Sequence, residues 1–128
     1  MTDAKGAVEL ALYEALAGGI VGGTVYQDVP EDAPMPLVIV GDLAAVSLGG
    51  KGDQDRRVTA TIVTLVGAEE RAPLLELQGQ AVQLLDGKRF TPAGWTLEVN
   101  FQDDDAGLSE DGASYVGTSR FEVLALSD

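Results

Sequence analysis

The chain contains no cysteine and no histidine. The first absence excludes disulfides, thiolate metal sites and cysteine nucleophiles. The second removes the commonest general base, the usual Ser-His triads and most zinc sites. No stretch reaches the roughly 18 apolar residues of a membrane span. The N-terminal residues enter an amphipathic pattern directly, without a basic-then-apolar leader. The expectation is no membrane association and a protein made in a cytoplasm and kept or assembled there. Bases are scarce as well: 8 Lys and Arg stand against 21 Asp and Glu, a net charge of −13. Tight binding to nucleic acid relies on Lys and Arg displacing counterions from phosphates, so this balance opposes it and favours solubility.

What is present belongs to an ordered domain. A length of 128 residues fits a single domain over 1–128, large enough to bury a core without staples. Sixteen glycines are in excess of the average of about 7%, but 45% of residues are apolar, so the excess marks turns and not disorder.

The chain is organised around Arg56 to Gly67, RRVTATIVTLVG. Its β-branched residues are stiff at χ1 and suit a pleated surface. Alternation sends Val58, Ala60, Ile62, Thr64 and Val66 to one face and Thr59, Thr61, Val63 and Leu65 to the other. This predicts a central strand, covered on one face and paired at both edges.

Before it, residues 3 to 17 carry an apolar stripe at Ala4, Ala7, Val8, Ala11, Leu12, Ala15 and Leu16. They predict a helix, capped by Thr2 or Asp3 and stopped by Gly18-Gly19. A short extended piece, Thr24 to Gln27, precedes the proline-rich segment Asp28 to Pro36, and Leu37 to Leu43 predicts a second strand.

Ala44 to Asp55 is expected to be a flexible loop. Its GGKG lacks the spacing and the following Ser/Thr of a phosphate-binding loop. The favoured reading is a hairpin arm that touches another protein, through Leu48, Gly49, Gly50, Lys51, Gly52, Asp53, Gln54, Asp55, Arg56 and Arg57.

After the central strand, Ala68 to Leu85 predicts a second helix. Pro73 lies in its first turns, and Leu74, Leu77, Ala81, Leu84 and Leu85 form its buried stripe. Gly79 weakens its middle, and Gly87 follows as a C-terminal cap. Lys88 to Ala93 is a short turn or strand. Trp95, Leu97, Val99 and Phe101 then alternate as the inner face of another strand, with Trp95 and Phe101 as core anchors.

Gln102 to Ala113 is expected to be an acidic loop holding Asp103, Asp104, Asp105, Glu110 and Asp111. These acids lack the spacing of a calcium loop. No second acidic cluster completes the site of a metal-dependent hydrolase. Ser114 to Leu126 alternates as a long closing strand.

The order predicts an α+β domain: a mainly antiparallel sheet of about four to five strands with two helices packed on one face. No catalytic, cofactor or metal site is expected.

VYQDVPEDAPMPLVIVGD, a glycine-rich loop, RRVTATIVTLVG, a helix ending LLDG, a tryptophan-bearing strand, an acidic segment and DGASYVGTSRFEVLAL follow one another in this sequence. This order resembles the tail-completion or tail-terminator proteins of long-tailed bacteriophages and gene transfer agents, over nearly the whole chain. The resemblance implies a structural virion protein and not an enzyme. It implies a homo-oligomer, a ring of six, that caps the completed tail tube and joins it to the head-proximal neck. Its partners would be the tail tube protein and a head–tail connector protein, with DNA passing through the ring without specific binding. Other readings stay open: another neck, head-completion or tube protein, or a small acidic protein-binding module unrelated to phages.

Overall fold

The computed structural model describes residues 3–49, 54–92 and 94–128. Eight elements follow in order: α1 (Ala4–Gly19), β1 (Thr24–Tyr26), β2 (Leu37–Ser47), β3 (Arg56–Gly67), α2 (Ala72–Leu85), β4 (Arg89–Phe90), β5 (Trp95–Leu108) and β6 (Ser114–Ser127). The strands form one six-stranded sheet in the order β1-β2-β3-β6-β5-β4. That is more than the four to five expected from sequence. The short pieces at 24–26 and 89–90 are both bonded into the sheet, β1 parallel to β2 and β4 antiparallel to β5. Every other pairing is antiparallel, and β3 lies between β2 and β6 as its sequence predicts.

The alternation in β3 holds along its length: Val58, Ala60, Ile62, Thr64 and Val66 are all buried. They meet buried side chains of α1, α2, β2, β5 and β6. One cluster gathers Val8, Leu12, Leu16, Val38, Ile62, Leu85, Trp95, Phe121 and their neighbours. A second, smaller cluster holds Val66, Leu74 and Leu77. Trp95 is 2% exposed and Phe121 is fully buried, so both are core anchors. Phe121 also packs edge-on against Phe101, with ring centroids 5.7 Å apart.

The helix ends differ from expectation in instructive ways. Asp3 caps α1, its carboxylate accepting from the Gly6 N–H at 2.8 Å. The helix then runs through Gly18 and Gly19 instead of stopping before them. Gly19 lies under Leu84 of α2, and a Cβ there would collide with the Leu84 methyls. The glycine therefore serves close helix–helix approach. Helix α2 begins at Ala72, four residues later than predicted, because β3 continues to Gly67 and a turn intervenes. Its chain exits through Gly87 at φ +72°, where the N–H donates to the Val99 carbonyl at 2.8 Å.

Two stretches expected to be loops are strand. Ala44 to Ser47 continue β2, paired with Arg56 to Thr59. Gln102 to Leu108 continue β5, with Asp103, Asp104 and Asp105 opposite Arg120, Ser119 and Thr118. In each strand the register slips once, at Val40/Leu43 and at Phe101/Asp103. A bulge bends the strand and lets it go on beyond the core.

Candidate functional site

The expected contact arm is the β2–β3 connection. Its base is closed where the Leu48 N–H donates to the Asp55 carbonyl at 3.4 Å. Asp55 is a structural anchor: one carboxylate oxygen accepts from both the N–H and the hydroxyl of Ser127, at 2.7 and 3.0 Å. The Arg56 guanidinium donates to the Asp55 carbonyl at 2.8 Å. Arg57 crosses to β6 and pairs with Glu122 at 3.3 Å. Both side chains are about half exposed, so the pair contributes little stability but holds Arg57 against its own sheet. Gly50, Lys51, Gly52 and Asp53 of the predicted arm lie outside the described residues. Leu48, Gly49 and Gln54 stand at the hairpin end.

The five acids expected in one loop are divided between a strand and a turn. Asp103 and Asp105 stand on the same face of β5, and Arg120 of β6 donates to both, from Nε to Asp103 and from Nη2 to Asp105 at 3.2 Å. Those two carboxylates raise the Arg120 pKa above its ordinary value, with the Asp105 bond the larger cause. Asp104 points to the opposite face, level with buried Ser119. Asp111 shapes the β5–β6 turn, accepting from the Ser109 hydroxyl at 2.6 Å and the Ala113 N–H at 3.0 Å. These bonds hold its carboxyl below the usual carboxylate value, the Ser109 bond foremost. Glu110 is exposed in the same turn. Among the described residues no three carboxylates converge to hold a metal ion.

An open cleft of about 370 Å³ lies where the start of α1 passes the far end of β2. It is lined by Asp3, Ala4, Lys5, Ala45, Gln54, Arg56 and Trp95. Beside it Ala44, Ala45, Val46 and Ser47 are exposed, Val46 to 55%. This uncharged, exposed strand end was hidden from sequence reading by the glycines that follow it.

A polar seam was also missed. Gln78, only 4% exposed, sits on the inner side of α2 and donates to the Asp105 carbonyl at 2.9 Å. Around it lie Gly117 and the buried hydroxyls of Thr64 and Ser119, which have no hydrogen-bond partner among the described residues. The available signal was Gly117 itself, a glycine inside an alternating strand, which marks close approach by another group.

The features that stand out among the described residues are strand ends, paired charges and a long acidic edge. Residues 10–125 match the family of tail completion protein gp17. The chain belongs to that family. It is thus a structural protein of phage tails and a component of the virion. A chain in the virion of a native gene transfer agent particle has the same fold. It matches with a TM-score of 0.83 at 19% identity, over 98% of this chain and 98% of that one. No curated protein sequence matches. No described helix is long and apolar enough to cross a membrane.

Proposed function

We propose that this tail completion protein works as a tail terminator: a closed ring, of six copies, that caps the finished tail tube and joins it to the head-proximal neck. The observation that carries the reading is the family match across nearly the whole chain. The unlike edges of the sheet support it, because head-to-tail contacts between unlike surfaces close into rings when the rotation permits. The strand ends and the open edges of the sheet remain for neighbours. Six copies at −13 each would carry −78 formal charges. A lumen lined by such subunits repels phosphate, and DNA passes without sticking. The tube protein and a head–tail connector are the partners, and the β2–β3 arm, Leu48 to Arg57, reaches one of them.

The experiment is to shorten Gly49 to Gln54 to a two-residue turn. The monomer should still fold, because the segment carries almost no apolar side chain and Asp55 keeps its anchor on Ser127. Tails made with the variant should be overlong or unjoined to heads. Normal particles would remove the arm from the contact surface.

A further inference from the structure

The outermost strands of the sheet are short and their neighbours long. β1 covers only Leu37 to Ile39 of β2, so among the described residues Val40 to Ser47 have no strand on that side. At the other edge β4 pairs only with Leu97 and Glu98 of β5. Gly87, Lys88 and the Asp86 carboxylate carry the backbone bonding on to Phe101. Gln102 to Leu108 then have no paired strand on the outer side among the described residues, and the Asp105 carbonyl within them accepts from Gln78 of α2. Among the described residues two stretches of comparable length are therefore left without a strand partner on one side, on opposite edges and at opposite ends of one sheet. Such edges invite strand addition unless they are guarded.

The two edges differ in charge. The β5 edge carries three consecutive aspartates, so two β5 edges would repel each other. The β2 edge carries one acid, Asp42, and the cleft beside Ala45 is lined by two bases, Lys5 and Arg56, and by Asp3, whose carboxylate is engaged by the Gly6 N–H. Asp103 and Asp105 are engaged by Arg120, on the face away from the core. Asp104 stands on the core-facing side, the same side as Ala45, which lies opposite buried Val58. Directions agree too: β5 runs with β3 and against β2, so a β5 edge brought to a β2 edge in one continuous sheet is antiparallel.

We propose that one copy adds the open edge of its β5, Gln102–Leu108, to the open edge of β2, Val40–Ser47, in the next copy, with Asp104 turned toward Lys5 and Arg56. This rests on the ring reading and specifies its interface. Each copy gives one edge and receives the other, so the contact is heterologous and propagates in one sense. Backbone bonds supply the attachment, and the acid–base match sets register and orientation. Because the open stretches lie at opposite ends, each copy is displaced along the strands relative to the last, as in the stagger of tilted strands around a closed barrel.

The absence of native cysteine makes the test clean. Ala106→Cys, on the core-facing side of β5, is combined in turn with Leu43→Cys, Ala45→Cys and Ser47→Cys on the same side of β2. Assembly is followed by native mass spectrometry in the presence of tube protein, and crosslinking by non-reducing gel after mild oxidation. The proposal predicts that the in-register pair gives a ladder of covalent oligomers up to the ring size. Each single variant, and Val46→Cys with Ala106→Cys on opposite faces, stays monomeric on the gel. Rings that form but give no ladder with any of the three pairs overturn the edge pairing and leave the ring intact. Disulfide dimers from Ala45→Cys alone would show β2 meeting β2 about a two-fold axis, and also overturn it. Failure of the cysteine-free chain to form rings at all would remove the ring reading, and this interface with it.

Discussion

Gly117 of β6 lies directly beneath Gln78 of α2, with no room for a side chain between them. A Cβ at Gly117 would collide with the Gln78 amide, standing 2.7 Å from its Cδ and 3.0 Å from a Leu74 methyl. Gln78 cannot swing away freely, because its amide is buried and bonded to the Asp105 carbonyl. This contact ties α2 to the far half of β5, the half that carries the open acidic edge.

Gly117→Ala should therefore destabilise the protein by roughly 1–3 kcal/mol, through overpacking and a strained or broken amide bond. Gln78→Ala added to it should cost less than the sum of the two single changes, since the collision partner is gone. Urea denaturation of the four proteins measures the coupling. Strict additivity would mean that the two residues do not press on each other.

Gly79, one residue along the same helix, has the opposite character. It is exposed and an added Cβ would meet nothing within 4 Å. Gly79→Ala should raise stability by about 0.5–1 kcal/mol, by restricting the unfolded chain and favouring the helix. A thermal melt checks it, and an unchanged or lower midpoint would show that the position serves a contact outside the single chain.

The contrast between these glycines shows how far the sequence could be read. The β3 alternation predicted five inward residues, and all five are buried, because period-two burial is imposed by the pleat itself. Gly87 was placed correctly because a helix exit at positive φ favours glycine. The composition around Asp103 to Asp105 predicts a loop, and they lie in a strand. Local preference was overridden there by tertiary pairing, through a bulge at Gln102 and an arginine 15 to 17 residues away. Ala44 to Ser47 were lost the same way: alanine and serine signal no strand, and the ladder with Arg56 to Thr59 makes one. Gln78 was missed because a glutamine within an apolar stripe gives no hint of a carbonyl from a distant strand. Of the proposed contact residues, Asp55 and Arg57 have structural partners within the chain, which a list of exposed charges cannot foresee.

The protein should not bind duplex DNA tightly at physiological salt. Of the described bases, Arg57, Arg89 and Arg120 are each paired with a carboxylate of the chain itself, and Arg71 lies over the Tyr115 ring at 5.1 Å. Too few remain to displace counterions from several phosphates. Fluorescence anisotropy at moderate salt should show no saturation at micromolar protein, and a submicromolar Kd would contradict the account of the lumen.

The central claim is the closed ring, and the mass of the assembled protein tests it most directly. Native mass spectrometry across a range of concentrations, with and without tube protein, should show a species of six copies, in equilibrium with monomer when dilute. A chain that stays strictly monomeric at high concentration and with tube protein present would contradict the account.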